Sequence, residues 1–134
     1  MEFQRTLSTE ITFTGRGLHT GASVTLKVLP APTDTGLVFR RVDLDHFEIE
    51  AIIKNVARVA YATTLMKQGV LISTVEHLLA SLYILGVDNA WIDIDNLEVP
   101  ILDGSALEFS ETIQRVGLKQ QSGLRQYLVI KKAL

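Results

Sequence analysis

The sequence predicts an α+β fold, a two-layer sandwich in which two helices pack on one face of a mostly antiparallel sheet. Apolar and polar residues alternate through the first half of the chain, with the period of two that a half-buried strand shows. From residue 75 onward the apolar residues recur at helical spacing, interrupted by a further alternating run. The 134 residues, 47% of them apolar, are enough for one domain with its own core.

Short alternating runs, bounded by glycine, proline and polar turn residues, predict the strands. A glycine-rich segment, residues 15–21, separates the first two runs, and Lys67-Gln68-Gly69 has the composition of a hairpin turn. The predicted strands cover residues 7–13, 24–28, 37–39, 47–51, 59–65, 70–72 and 90–94.

Two helices are predicted where apolar residues recur every three or four positions. The first stripe comprises Val75, Leu78, Leu79 and Leu82, and the second comprises Phe109, Ile113 and Val116. A serine precedes each stripe with a glutamate three positions later, Ser73 with Glu76 and Ser105 with Glu108, which predicts two capping boxes. A glycine after each stripe predicts where the helix ends.

The last predicted strand, residues 127–130, follows a polar run at 119–123 that has the composition of a domain boundary. A single strand must pair with another, so this one either closes the sheet of the domain or begins a further domain. We therefore expect one domain over residues 1–123. Residues 124–134 are either its terminal strand or the opening strand of a second domain that this chain lacks.

Composition excludes several classes of protein. Thirteen basic and 15 acidic side chains leave a net charge of -2, so the basic excess of a nucleic-acid-binding protein is missing and no nucleic-acid partner is expected. The chain has no cysteine, which excludes disulfide scaffolds and thiolate zinc sites. No run is long and apolar enough for a transmembrane segment, and the start does not resemble a signal peptide. A cytoplasmic domain is expected.

The histidines are the candidate metal ligands, and one of them, His77, follows Glu76 at the start of the first predicted helix. An imidazole that binds zinc beside a carboxylate that takes a proton from water is half of a metallohydrolase pattern. The second histidine of H-E-x-x-H is missing, and a catalytic zinc needs three protein ligands. On the residues alone, the simpler interpretation is that Glu76 caps the helix and His77 is a partly buried residue of its first turn.

Other candidate residues also have simple structural interpretations. The glycine-rich segment is explained as a tight loop, Asp103 as part of a turn before the second helix, and Thr63 as a strand residue. No P-loop pattern accompanies the glycines, so a phosphate-binding loop is not expected.

Three segments together resemble a known family. They read GRGLHTG at residues 15–21, ISTVEHLLA at 72–80 and VPILDGSA at 99–106. The resemblance is to the N-terminal domain of the UDP-3-O-acyl-N-acetylglucosamine deacetylases, the zinc amidases of bacterial lipid A biosynthesis. It runs along essentially the whole chain, with the segments in the same order and at similar spacing.

The resemblance implies that one zinc ion lies between two domains of similar topology and that His77 supplies one of its ligands. Glu76 is then the general base for the water that attacks the acetamide carbonyl at C2 of the sugar, so that acetate and a free amine are released. These roles agree with the chemistry of zinc, which polarises a carbonyl and lowers the pKa of water to around 7.

The resemblance also implies roles for residues around this pair. Leu18 and His19 are expected on a loop that borders the cleft and contacts substrate, and Thr63 is expected in another wall of the cleft. Asp103 is expected to support the helix that carries Glu76 and His77.

The family's second domain has no counterpart in this chain. The resemblance implies that this domain supplies the other two zinc ligands, a histidine that acts as acid, and the passage for the acyl chain. We therefore expect the N-terminal half of a zinc-dependent hydrolase, inactive alone, with UDP-3-O-acyl-N-acetylglucosamine as substrate and the C-terminal domain as partner. The alternative is a stand-alone binding or regulatory module that kept the fold without catalysis. The face that packs on the second domain is expected to expose apolar surface and to promote self-association.

Overall fold

The computed structural model describes residues 2–134, which contain ten strands and two α-helices. In chain order the strands are β1 (Phe3–Leu7), β2 (Ile11–Arg16), β3 (Ser23–Pro30), β4 (Leu37–Arg41), β5 (Phe47–Glu50), β6 (Val56–Arg58), β7 (Thr64–Lys67), β8 (Val70–Ser73), β9 (Ala90–Ile94) and β10 (Leu118–Leu124). The helices are α1 (Glu76–Ile84) and α2 (Leu107–Val116).

The strands are divided among three sheets. One sheet has five strands in the order β2-β3-β9-β4-β5, all paired antiparallel except β9 and β4, which are parallel. The strands β6, β7 and β8 form an antiparallel sheet, and β1 pairs antiparallel with β10. The predicted α+β class with mostly antiparallel strands is confirmed.

The hydrophobic core combines the apolar face of the five-stranded sheet with both helices. On α2, the ring of Phe109 packs edge-on against Phe13 of β2, with centroids 4.9 Å apart and planes at 69°. From α1, Leu78 and Leu82 join the same cluster and are fully buried. On the strands, the fully buried members include Leu26, Phe39, Ile49, Ile92 and Ile94.

Two predicted strands differ from the structure. Residues 7–13 form parts of β1 and β2, separated at residues 8–10, rather than one strand. The prediction over 59–65 overlaps β7 only at its last two residues, because Tyr61 has a φ of 63° and interrupts the extended backbone. The predicted hairpin turn is confirmed, since Gln68 and Gly69 both have the positive φ of a tight turn between β7 and β8.

The predicted capping box of α1 is wrong. Ser73 is the last residue of β8, where its Oγ lies 3.1 Å from Thr64 Oγ1, and the helix begins at Glu76 after Val75. Ser73 therefore belongs to the paired strands β7 and β8 and does not cap the helix. The end of the helix is as predicted, because Gly86 follows Leu85 with a φ of 79°.

The start of α2 also differs from the prediction. The helix begins at Leu107, two residues after Ser105, and Ala106 is its N-cap. The Oγ of Ser105 does accept a hydrogen bond from the backbone N–H of Leu107, at 3.1 Å. The reciprocal contact from Glu108 that completes a capping box is not found within residues 2–134. Gly117 ends the helix as predicted.

The polar run at 119–123 lies within β10 and not in a linker, because β10 pairs with β1 from Leu118–Leu7 to Leu124–Phe3. Residues 125–134 form no helix or strand, so the strand predicted at 127–130 is not formed. Arg125 anchors the start of this segment through its backbone N–H, which donates to Glu2 O at 2.8 Å. The division of the chain after residue 123 stays a prediction.

Within residues 2–134, neither helix has the length and apolar character that crossing a membrane requires.

Candidate active site

The site is built where three segments meet near the ends of β2 and β8. The segment after β9 binds the end of β8, since Ser73 N–H donates to Leu97 O at 2.7 Å and Val99 N–H donates to Ser73 O at 3.0 Å. The same segment binds the end of β2, where Ile101 N–H donates to Arg16 O at 2.9 Å. These bonds bring the glycine-rich loop after β2 close to the start of α1.

Glu76 is the first residue of α1, and its carboxylate is held by Thr63. The backbone N–H of Thr63 donates to Glu76 Oε2 at 3.1 Å, and the carbonyl of Thr63 accepts a bond from Val75 N–H at 3.3 Å. The N-terminal end of a helix favours a negative charge, because its first N–H groups have no partner within the helix. The structure therefore brings two of the predicted residues, Thr63 and Glu76, into direct contact.

His77 follows on the first turn and is partly buried. Its Nδ1 is buried and has no hydrogen-bond partner among residues 2–134. Buried polar atoms in folded proteins are nearly always paired, so this nitrogen calls for a ligand or a partner from elsewhere. An imidazole nitrogen is a common ligand of zinc, and a ring with an unpaired buried nitrogen fits that chemistry.

A complete metal site is not found in the part of the chain that the structure describes. No three side chains of histidine, cysteine, aspartate or glutamate lie close enough together there to hold an ion. A tetrahedral zinc site has three protein ligands and an open position when it is catalytic. His77 therefore fits the chemistry of one such ligand.

Leu18 and His19 lie at the tip of the loop between β2 and β3. The loop is closed by two backbone bonds, from Gly17 N–H to Ala22 O and from Gly21 N–H to Gly17 O, both at 3.0 Å. Leu18 is 59% exposed and the side chain of His19 is 46% exposed. Both side chains are thus exposed, and the contact with substrate that the resemblance implies stays a prediction.

Glu98, which the sequence analysis did not select, connects this loop to α1. The residue is 1% exposed, and its carboxylate accepts bonds from the backbone N–H groups of His19 at 3.0 Å and Thr20 at 2.8 Å. It also contacts His19 Nδ1 at 2.9 Å and accepts from Thr74 Oγ1 at 2.9 Å. Burial raises the pKa of the Glu98 carboxyl, but the bonds from His19 and Thr20 outweigh burial and lower this pKa to about 2.

Gly17 is required by the close approach of this carboxylate. A Cβ at position 17 would lie 2.2 Å from Glu98 Oε2 and 2.3 Å from Thr20 Oγ1, well inside van der Waals contact. The sequence offered one signal for this arrangement, an isolated acidic residue between Leu97 and Val99 next to a family-like segment. Its partners lie 78 and 79 positions earlier in the chain, so periodicity could not identify them.

Asp103 is exposed and lies in the turn before α2. Its Oδ1 accepts bonds from the backbone N–H and the hydroxyl of Ser105, both at 2.9 Å. These bonds lower the pKa of the Asp103 carboxyl, and the charge of His77 lowers it further. Among residues 2–134 it makes no hydrogen bond with α1, and its predicted role in supporting that helix stays a prediction.

Comparison with known proteins shows the family of the chain. The family model for UDP-3-O-acyl N-acetylglycosamine deacetylase matches residues 4–134, nearly the whole chain. The chain belongs to this family. Glu76 and His77 lie in one of the three segments that resemble the family's motifs, and their roles stay predictions.

The chain is also similar to curated proteins that are named UDP-3-O-acyl-N-acetylglucosamine deacetylase. It is 52% identical over 134 residues to the protein of Solibacter usitatus, 49% identical over 133 residues to that of Geobacter sp. strain M21, and 52% identical over 132 residues to that of Nitrosococcus oceani. The matches cover 98–100% of this chain but only 45%, 44% and 43% of these relatives. The chain therefore spans less than half the length of the deacetylases that it matches.

Proposed function

We propose that this chain is the N-terminal portion of a cytoplasmic, zinc-dependent amide hydrolase that removes the acetyl group from UDP-3-O-acyl-N-acetylglucosamine in lipid A biosynthesis. The observation that carries the proposal is the pair on the first turn of α1, where Glu76 is held by Thr63 and the adjacent His77 has a buried, unpartnered Nδ1 among residues 2–134. Family membership and the names of the relatives support the substrate.

Glu76 is the general base of the proposed reaction. The bond from Thr63 N–H fixes Oε2, which orients the carboxylate and leaves the other oxygen to take a proton from the attacking water. Bound zinc would polarise the amide carbonyl and lower the pKa of water to around 7, so that a carboxylate can accept its proton near neutral pH. His77 would hold the ion as one ligand of several.

The glycine-rich loop supplies the proposed contacts with substrate. The contact of His19 Nδ1 with the Glu98 carboxylate makes Nδ1 the donor and leaves Nε2 of the same ring for a ligand. Leu18, exposed beside it, offers an apolar contact. Thr63 lies on the other side of Glu76 and borders the same site.

The remaining zinc ligands are proposed to come from a C-terminal domain. The relatives are long enough to contain one, since the chain covers only 45% of the Solibacter usitatus protein. This chain alone is then expected to have negligible deacetylase activity and at most weak zinc binding. Both halves are needed because one imidazole cannot hold a catalytic ion tightly.

Complementation tests this proposal. The chain is assayed for acetate release from UDP-3-O-acyl-N-acetylglucosamine, alone and with the C-terminal portion of the Solibacter usitatus relative, and zinc is measured after dialysis against a chelator. We expect turnover and about one zinc per complex only when both parts are present. Turnover or tight stoichiometric zinc with the chain alone contradicts the need for a partner. No turnover in a stable complex that holds zinc favours the stand-alone module instead.

A further inference from the structure

The Glu98 carboxylate takes no part in the proposed chemistry, although it lies between the two segments that do. It is buried, whereas the side chain of its partner His19 is 46% exposed. Burying a carboxylate is costly unless hydrogen bonds compensate, and this one has donors on both oxygens. Such an arrangement fits a residue that fixes the position of its donors.

We propose that Glu98 is a positioning residue of the site: its carboxylate holds the loop that carries Leu18 and His19 against the start of α1, and so sets where His19 lies relative to Glu76 and His77. The proposal rests on the proposed function of those residues. Glu98 acts through His19 and through Thr74, and it does not itself touch the reacting atoms.

The donors come from both sides of the site. On the loop side, the backbone N–H groups of His19 and Thr20 and the ring Nδ1 of His19 contact the carboxylate at 2.8–3.0 Å. On the helix side, Thr74 Oγ1 donates to Glu98 Oε1 at 2.9 Å, two residues before Glu76. One carboxylate therefore connects the tip of the loop to the residues that lead into α1.

The backbone on the helix side needs such a contact. Thr74 has a φ of 60°, a left-handed conformation that is unfavourable for a β-branched residue. It is 4% exposed, so the strained residue is enclosed and its hydroxyl is paired only through Glu98 among the bonds that the structure describes. The bend at Thr74 turns the chain from β8 into α1, and it decides where Glu76 begins the helix.

The backbone of Glu98 is fixed as well. Its two neighbours are bonded to the end of β8, where Ser73 N–H donates to Leu97 O and Val99 N–H donates to Ser73 O. The close approach of Gly17 to Glu98 Oε2 leaves no space for another side chain at that position. The backbone of Glu98 and the space around its carboxylate are thus fixed, as the role of a residue that positions others requires.

The negative charge is needed for this role. Each group around the carboxylate is a donor, and a carboxylate has acceptor sites on both oxygens. In Glu98→Gln, one oxygen becomes an NH₂ group, so the donors that bond this oxygen lose their acceptor while the other oxygen can still accept. Glu98→Asp keeps the charge but is one methylene shorter, so it keeps only part of the contacts.

Nuclear magnetic resonance of the ¹⁵N-labelled chain tests the contact without any need for activity. In the unaltered chain we expect the His19 ring to carry its proton on Nδ1 and the amides of His19 and Thr20 to exchange slowly. In Glu98→Gln we expect at least tenfold faster exchange of at least one of the two amides and a changed tautomer signal of the His19 ring, with an unchanged core. Glu48→Gln, an exposed glutamate on β5, is the matched control and is expected to change neither signal.

The second readout is kinetic and uses the complex with the complementary portion. We expect Glu98→Gln to lower kcat/KM at least tenfold, mainly through a higher KM, because the start of α1 keeps its bonds with Thr63 while the loop that carries His19 loses part of its anchor. Glu98→Asp is expected to recover part of the loss. If Glu98→Gln does not fold, Thr74→Ala removes the helix-side donor and is expected to lower kcat/KM in the same direction.

The outcomes separate this proposal from the proposed function. Unchanged His19 and Thr20 signals in Glu98→Gln overturn the positioning role, whatever the activity. Altered signals with an unchanged kcat/KM overturn it too, because the loop position then does not matter. If the unaltered complex has no deacetylase activity, the proposed function fails while the resonance result still decides the contact.

Discussion

At the scale of single residues, the carboxyl group of Glu98 is almost fully buried and yet ionised at neutral pH. Glu98 keeps its charge because the hydrogen bonds from His19 and Thr20 outweigh the cost of burial, which lowers its pKa to about 2. A group whose pKa is lower in the folded protein stabilises the fold when it is ionised. That contribution is complete above the pKa of the unfolded chain and disappears as the pH falls toward the folded value.

The unfolding free energy should therefore depend on pH through Glu98. The ordinary pKa of the group is 4.5, so its contribution is present above about pH 4.5 and is lost between there and about pH 2. A shift of this size corresponds to about 3 kcal/mol at neutral pH. We expect the difference in unfolding free energy between the unaltered chain and Glu98→Gln, measured in urea, to shrink as the pH is lowered from 6 to 3. A difference that stays constant over this range contradicts the ionised, hydrogen-bonded state.

Glu76, as the proposed general base, should be needed for turnover. Removing a general base usually lowers the rate by about 10²–10⁴-fold. We expect Glu76→Gln in the complemented enzyme to lower kcat by at least about 100-fold without loss of zinc, because His77 is unaltered. Glu108→Gln, an exposed glutamate in the first turn of α2, is the control and should leave kcat unchanged. Retention of full turnover in Glu76→Gln would show that another group takes the proton.

At the scale of elements, periodicity predicted the strands of the main sheet and both helices. Residues 24–28 and 90–94 alternate because one face of each strand joins the core, and that requirement is visible in the sequence. The capping box of α1 was wrong because the same short pattern also fits a strand end, and the pairing of β8 with β7 places Ser73 there. Local patterns do not show which of two competing hydrogen-bond partners a side chain takes.

The candidate site shows the same limit. Glu76, His77 and His19 could be selected because they lie in short segments that resemble the family's motifs. Glu98 had only a weak signal, an acidic residue beside a family-like segment, because its role in the structure depends on contacts with a loop nearly 80 residues earlier. The two segments are neighbours because β9, which precedes Glu98, pairs with β3, which follows the loop.

The packing of α2 on the sheet provides a prediction for this element. Phe109 is 1% exposed and contacts Phe13 in an edge-to-face geometry, so its removal leaves a cavity in the core. Phenylalanine-to-alanine changes in cores cost about 3–5 kcal/mol. We expect Phe109→Ala to lower the unfolding free energy in urea by about that amount, whereas Leu107→Ala, at a position that is 57% exposed, should have a small effect. Equal losses from the two variants would mean that α2 does not pack on β2 as described.

At the scale of the whole molecule, apolar side chains remain exposed around one groove. Tyr83 and Ile84 at the end of α1 are 83% and 79% exposed, and Tyr127 and Leu128 line the same groove. The net charge of -2 provides little repulsion between copies. An exposed apolar patch of this kind favours association.

We therefore expect the isolated chain to self-associate through this groove. Sedimentation velocity should show an average mass that rises with concentration, and Ile84→Lys should shift the association to higher concentration because it places a charge in the contact. Ile53→Lys is the control, since Ile53 is 91% exposed but does not line the groove. A monomer at all concentrations, or equal effects of the two variants, contradicts this expectation.

The strand order has a consequence for synthesis. β9 lies between β3 and β4, so neither of these early strands can pair with β9 until residue 94 has been made. In the same way, β1 cannot pair with β10 until residues 118–124 have been made. Such a topology has a high contact order, which slows folding because distant segments must meet before pairing is rewarded. During translation the edge of β3 that faces β9 stays open from residue 30 to residue 94, and that of β4 from residue 41 to residue 94. Unpaired strand edges of this kind favour aggregation of a nascent chain.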